Sequence, residues 1–341
     1  MNYIFVFLGE FGYELLNWQG VVRKFAKTIN KNEDKITVCS RAGLEPFYEF
    51  ADHYIDISQL PHFKNSVANM YWAHNPNVNY YTHHDECLRG ELDWELLSKK
   101  DLKYQKELKK QIKNLVFKTL NFSYFDRLFS RNYQFIFSSD YQTIHGLVFG
   151  TKNMNEAKIY ADLDLNNNEF VKVHAPQNLD AQIEKKLGFS LSEDYVLCQT
   201  GARNVIQRSK DSASFDVVKE LAQTTKIVLL DFNTGRNLDS KSAFDNIKNC
   251  YKFSCSSFKE QSVLIAHAKY CLFFTEGDFR SHNYLPPFMG KNVYSVAPKT
   301  VFKLGTTPLA FWNRNVFKFG GQIIPISVDE INQQKVIFRG L

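Results

Sequence analysis

The sequence predicts an α/β chain of two doubly wound domains facing a cleft, and three observations predict it. Short continuous apolar runs recur along the 341 residues, helix-length segments separate them, and an opening strand-glycine-helix pattern is met a second time near residue 195. Continuous apolar runs suit parallel strands buried on both faces, and alternation with helices is what brings such strands side by side. Hydrophobic residues make up 44% of the chain and charged residues 23%, so a chain of about two domain lengths has the material for two cores.

Taken in order, Tyr3 to Leu8 is an apolar run ending at Gly9 and reads as a buried strand. Leu15, Leu16, Trp18, Val22, Phe25, Ala26 and Ile29 then recur at helical spacing, Asn30 to Asp34 form a polar break, and Ile36 to Cys39 is the next strand. Asp52 to Ile57 reads as a further strand, and 58–95, rich in Asn, His, Tyr and Trp, as functional loops or an insertion. Residues 99–120 form an amphipathic helix with Lys at 99, 100, 103, 106, 109, 110, 113 and 118 and with Leu97, Tyr104, Leu108, Ile112 and Leu115 near one face. A solvated face against a core and attraction to anionic lipid both fit that lysine pattern. Strands are expected at Gln134 to Phe137 and Phe170 to Val173.

From Tyr195 the alternation is regular. Strands are expected at 195–199, 227–230, 251–253, 270–274 and 293–296, with helices at 215–222, 259–268 and near 282–289. The chain therefore divides into an N-terminal Rossmann-like domain over 1–175, a linker over 176–194 and a C-terminal Rossmann-like domain over 195–320. A tail over 321–341 carries strand-like 322–326 and 336–338. Sheets of this kind bind ligands beyond the carboxyl ends of their strands.

Charge and cysteine content narrow the partners. Residues 1–200 carry 23 Lys and Arg against 25 Asp and Glu, whereas 201–341 carry 19 against 11, so the second half holds the positive field. Its basic residues are dispersed, which suits a nucleotide diphosphate and not a nucleic-acid surface. The six cysteines, at 39, 87, 198, 250, 255 and 271, form no CxxC pair and are expected as free core thiols in a reducing, cytoplasmic setting. The apolar start is too short for a signal peptide or a spanning helix.

Three motifs carry the chemistry. The first, LGEFGYE over 8–14, follows the first strand: Gly9 and Gly12 allow a tight turn, and Glu10 stands where a carboxylate could take a proton from a hydroxyl acceptor. Glu14 is a second acceptor-side candidate; either carboxylate could instead cap the helix start. No GxGxxG is present, so a nicotinamide or flavin cofactor is not expected. The second motif, CQTGARNVIQRSK over 198–210, sets Thr200 and Gly201 beside Arg203, Arg208 and Lys210, the cations a departing diphosphate requires. The third, FFTEGDFRSHN over 273–283, offers Glu276 or Asp278 to sugar or ribose hydroxyls and Ser281, His282 and the helix amides to phosphate oxygens, with Arg280 a further donor-binding candidate. His282 reads equally as a helix-cap or core histidine. The adjacent His83 and His84 with Asp85 point in different directions on most backbones and no wider ligand set is evident, so no metal is expected. Phe311, Trp312, Phe317 and Phe319 read as packing or as a base-stacking platform.

The second and third motifs together resemble the donor-binding half of GT-B glycosyltransferases, in the layout of the bacterial heptosyltransferases, over about residues 195–297. The segment departs from that pattern in carrying Thr275-Glu276-Gly277-Asp278 in place of an Asp-Ser-Gly-like turn. The resemblance implies an enzyme that moves a sugar from a nucleotide-sugar co-substrate to a hydroxyl of a bacterial surface glycan, with inversion; the cysteine usage and the absence of a ligand set add the expectation of a cytoplasmic, metal-independent enzyme, and the lysines of 99–118 that of peripheral contact with the inner membrane surface. It also implies that Glu10 is the base, that Arg203, Arg208 and Lys210 meet the leaving phosphate, and that the tail crosses back to the first domain. Arg280-Ser281-His282 ahead of Pro286 and Gly290, with GEFGYELL, is similar to polysaccharide pyruvyl transferases, which implies phosphoenolpyruvate as the alternative donor. A non-catalytic sugar- or nucleotide-binding protein and a nucleotide-sugar epimerase are the other classes open.

Overall fold

The computed structural model describes residues 1–8, 14–64, 99–129, 132–138, 169–199, 212–232, 244–255, 257–274, 281–297 and 317–327. The chain divides into two compact units, Met1–Phe170 and Val171–Leu341.

In the first unit, β1 (Asn2–Val6), β2 (Lys35–Ser40), β3 (His53–Asp56) and β4 (Tyr133–Phe137) form a parallel sheet in the order β3-β2-β1-β4. The unbroken apolar run at the start is explained by burial on two sides. Ile4, Val6 and Leu8 pack with Leu108, Ile112 and Val116 of the helix Lys99–Thr119, while Phe5 and Phe7 meet Trp18 on the other face, 6.0 Å away in each case. A strand buried on one face only would alternate apolar with polar residues. Each such fully buried side chain contributes about 1.5–3 kcal/mol relative to its exposed state.

A π-helical turn, Glu14–Trp18, leads into α1 (Gln19–Ala26). Gly20 in α1 is dictated by packing, because a Cβ there would lie 2.4 Å from the Phe170 ring. This contact explains why 170–173 is not the expected strand. Phe170 is buried against α1 in the first unit, whereas Val173 in the second donates its N–H to the Phe288 carbonyl at 2.9 Å, so the stretch has no sheet ladder. Among the described residues the further α-helices of this unit are α2 (Pro61–Lys64), α3 (Lys99–Thr119) and α4 (Tyr124–Phe129).

In the second unit, β5 (Tyr195–Gln199), β6 (Lys226–Phe232), β7 (Cys250–Cys255), β8 (Tyr270–Phe274), β9 (Val293–Ala297) and β10 (Ile323–Ser327) form a parallel sheet ordered β10-β9-β8-β5-β6-β7. Counted within the unit this is the doubly wound 3-2-1-4-5-6 order, read from the other edge, and the first sheet repeats its opening 3-2-1-4. Both units are Rossmann-like. Val196, Cys198, Leu272 and Phe274 face a core with Val217, Val218 and Leu221 of α6 (Ser212–Leu221).

Two boundaries differ from expectation. The stretch 176–194 contains α5 (Asp180–Leu187), which buries Ile183 and Leu187, ion-pairs Lys186 with Glu260 of α7 (Phe258–His267), and ends at Gly188 with φ +78°. Its polar sequence is the outer face of a packed helix. The segment 323–327 pairs with β9 in the second sheet and does not cross back; 328–341 lies outside the described residues. The described cysteines are free, and Cys39, Cys198, Cys255 and Cys271 are buried.

Candidate functional site

The reversal of strand order in the second sheet falls between β5 and β8, and the carboxyl ends of those strands are neighbours, with Gln199 opposite Phe273. The chain leaves β5 at Gln199 directly into the basic motif and leaves β8 at Phe274 directly into the acidic one. Two stretches 75 residues apart in sequence, counted from Gln199 to Phe274, thus begin at adjacent strand ends, where a doubly wound sheet takes its ligand. Thr200, Gly201, Arg203, Arg208, Lys210, Glu276, Asp278 and Arg280 themselves lie outside the described residues, as do Gly9, Glu10, Gly12, His83, His84 and Asp85. Ser281 and His282 open α8 (Ser281–Phe288), the helix that follows β8.

The described part of this edge has a polar lining that the sequence reading passed over. Gln199, Phe273 and Ser295 form one rung across β5, β8 and β9, so their side chains share a face of the sheet. Asn283, fully buried on α8, donates from Nδ2 to Ser295 Oγ at 2.9 Å. The Oδ1 of Asn283 and the Oε1 of Gln199 are buried and accept no hydrogen bond from the described residues. Each such orphaned acceptor costs roughly 1–3 kcal/mol, and a native fold that keeps one calls for a reason, of which a ligand donor is one. Both residues stood inside the quoted motifs; the charged neighbours drew attention because an amide carries no charge.

The first unit's carboxyl edge is organised by charge. Glu14 is fully buried and accepts from Ser40 Oγ at 2.5 Å, Arg41 Nη1 at 2.8 Å and Tyr48 Oη at 2.8 Å. Ser40 closes β2, and Arg41 and Tyr48 follow it, so the network ties the segment after β1 to the segment after β2. Burial raises the Glu14 carboxyl above its ordinary range despite the Arg41 charge and the hydroxyl donors, and burial with the nearby Glu14 pushes the Tyr48 phenol up. The Tyr54 hydroxyl in turn donates to the Arg41 carbonyl. At the reversal of this sheet, the Leu8 N–H donates to Ser138 Oγ at 2.9 Å, joining the ends of β1 and β4. Glu14, one of the two acceptor-side carboxylate candidates, is therefore engaged within its own unit, directly after the glycine loop.

Among the described residues no group of three or more His, Cys, Asp or Glu is arranged to hold a metal ion, and no helix is long and apolar enough to cross a membrane. A concave surface lined by Asn2, Asp52, His53, Thr119, Asn121 and Phe122 lies at the amino ends of β1 and β3, the edge away from the motifs.

No protein-family model matches the chain, and no curated protein matches it. Among solved structures it is similar to the glycosyl transferase family 9 protein from Veillonella parvula DSM 2008, at 10% identity and a TM-score of 0.47 over 99% of this chain and 89% of that one. It is similar to the ADP-heptose LPS heptosyltransferase II of E. coli at 9% identity and a TM-score of 0.47, over 95% of this chain and 90% of that one. It is also similar to UDP-GlcNAc 2-epimerase from Neisseria meningitidis, at 12% identity and a TM-score of 0.41 over 100% of this chain and 92% of that one.

Proposed function

We propose that the chain is a cytoplasmic glycosyltransferase of the GT-B type, transferring a sugar from a nucleotide-sugar donor to a hydroxyl of a bacterial surface glycan. The observation that carries this reading is the pair of adjacent strand ends at the β5/β8 reversal. One leads into a Thr-Gly-Arg-Arg-Lys stretch and the other into a Glu-Asp-Arg-Ser-His stretch, over a face bearing two unpartnered amide oxygens. Cations there neutralise a diphosphate as it departs, carboxylates and amide oxygens accept from sugar or base donors, and the start of α8 adds backbone N–H groups.

In this reading the acceptor hydroxyl oxygen attacks the anomeric carbon while the Glu10 carboxylate takes its proton. The bond from that carbon to the phosphate oxygen breaks, and the nucleoside diphosphate leaves with its charge held by Arg203, Arg208 and Lys210. A single displacement inverts the anomeric configuration. Glu14, four residues on in sequence, acts in positioning the segment that precedes it through Ser40, Arg41 and Tyr48. The reaction is read as independent of metal, and EDTA is the check: activity lost to the chelator would point to Asp162 and Asp164, a carboxylate pair outside the described residues.

Calorimetric titration with nucleoside diphosphates, sugar nucleotides and phosphoenolpyruvate tests the reading, followed by product analysis with the ligand that binds. A nucleotide should bind, and Glu10→Gln should lower turnover by about 100-fold or more with donor affinity unchanged, because loss of a general base acts on the transition state. Binding of phosphoenolpyruvate alone would replace the reading with pyruvyl transfer, and donor conversion without an acceptor would replace it with epimerisation.

A further inference from the structure

The edge of the first unit away from the motifs holds a cavity that no step of the proposed reaction uses. It measures about 480 Å3 and opens where β1 and β3 begin and α3 ends, with Asn2, Asp52, His53, Thr119 and Asn121 around it and Ile55, Leu120 and Phe122 giving its apolar surface. That volume is within the range of small-molecule sites. Bonds that need no ligand hold its walls. The Asn2 N–H donates to the Asn132 carbonyl at 2.8 Å, and the Ile36 N–H donates to Asp52 Oδ2 at 2.8 Å. At the end of α3 the Phe122 N–H reaches back to the Phe117 carbonyl at 3.0 Å across Asn121, whose φ of +53° is the left-handed conformation that closes a helix. The Asn121 carboxamide therefore stands at the cavity on a fixed backbone.

The chemistry of the lining narrows the occupant. Asp52, the carboxylate of the described lining, is engaged by the Ile36 N–H and by the Lys35 ammonium, 3.1 Å from its Oδ1, so it offers no vacant charge to a cation. No lysine or arginine is among the described lining residues, and the carbonyl end of α3 is the negative end of its dipole, so nothing there suits a phosphate. What is left is amide, hydroxyl and imidazole. Asn2 Oδ1 accepts from Thr37 Oγ1 at 3.0 Å, which leaves its Nδ2 donors. The side chains of His53, Thr119 and Asn121 are exposed and make no hydrogen bond with another described residue.

We propose that this cavity is a carbohydrate-binding site, taking a neutral saccharide by its hydroxyls. Neighbouring sugar hydroxyls present donors and acceptors side by side, as a carboxamide or an imidazole does, and the C–H face of a sugar ring covers a small apolar surface of the kind that Ile55, Leu120 and Phe122 give. The site lies at the amino end of β1, whereas Glu10 follows its carboxyl end, so the saccharide held here is a part of the glycan away from the reacting hydroxyl. The inference rests on the proposed function only for the source of the saccharide, and it is read by binding without turnover.

The experiment is saturation-transfer NMR titration of the full chain with the methyl glycosides of glucose, galactose, mannose and N-acetylglucosamine, and with maltotriose. Saturation transfer to at least one of these probes is expected. Its dissociation constant should rise by about fivefold or more in Asn121→Gly and in His53→Ala/Thr119→Val, because each variant removes hydrogen bonds to the ligand. Glycine keeps the positive φ at 121, and His53 and Thr119 are exposed, so unchanged circular dichroism accompanies both variants. No transfer to any of the probes, or an affinity that both variants leave unchanged, would overturn the proposal. The two readings fail separately. Loss of these effects leaves nucleotide binding by the same protein as it was, and a parent that binds saccharide through these residues but no nucleotide overturns the donor reading alone.

Discussion

The two units share a strand order and differ in how they treat the carboxyl edge of their sheets. In the first, Glu14, Ser40, Arg41 and Tyr48 join in a buried charged network, and the buried side-chain atoms without a hydrogen bond among the described residues include Trp18 Nε1, Gln19 Oε1 and Arg23 Nε, where the π-helical turn passes into α1 and along it. In the second, such atoms include Gln199 Oε1 and Asn283 Oδ1, at the strand end and on the helix that follows the reversal, and Gln261 Nε2 on α7. A shared topology thus supplies two different edges. One is tied across its strand ends by a charged network, and the other carries uncharged amide oxygens without partners among the described residues.

The largest expected effect comes from the braced edge. Glu14→Ala leaves Arg41 without its buried partner and orphans two hydroxyls, so urea denaturation should show a loss of about 3–5 kcal/mol. Glu14 also sets a pH dependence. Its folded pKa is raised above 4.5, so its contribution to stability is full below that value and is lost as pH rises through the folded pKa. Glu14→Gln should remove this part of the stability profile between the two values; a profile identical to the parent would show that the carboxyl does not titrate within the fold.

At the open edge the sign reverses. Gln199→Met keeps the volume and removes the orphaned acceptor, so the free protein should be unchanged or more stable by up to about 1 kcal/mol, while nucleotide affinity drops about tenfold. Thermal melting and calorimetry read the two quantities separately. A destabilised free protein would mean that Gln199 is needed by the fold itself, and the contrast between the edges would dissolve.

The smallest effect concerns helix starts. α1 begins at Trp18 with no side-chain cap, whereas α7 begins at Ser257, whose Oγ accepts from the Glu260 N–H at 3.4 Å. Ser257→Ala should cost about 1 kcal/mol in the melting of the second unit. No change would mean that α7 is held by its packing and by the Lys186–Glu260 ion pair alone.

Much of the fold was legible in the residues. β1, β5 and β8 were readable because a strand buried on both faces has to be apolar throughout, and α3 because Leu108 and Ile112 recur at the helical period, although the buried stripe continues to Val116 with Leu115 only partly buried beside it. The ends of β5 at Gln199 and of β8 at Phe274 were legible as well, since glycine after an apolar run marks where a strand stops. Patterning within a segment is a local property, and local periodicity follows from which side chains must leave water.

What the residues by themselves could not decide depends on which segments meet. Phe170 to Val173 has the composition of a strand, yet Phe170 is taken by Gly20 and Val173 by Phe288, and no partner strand remains. The polar 180–187 stretch is a helix because β7 offers its thin apolar side, Ile183 and Leu187, a surface to cover, and α7 offers Glu260 to Lys186. Glu14 turned inward because Ser40, Arg41 and Tyr48, brought by β2, supply more hydrogen bonds and charge than a helix start does. Hydrophobic periodicity was written in the chain, whereas the pairing of buried polar groups was decided only when strands distant in sequence came side by side, because desolvated charge is tolerated only where a partner is already in place.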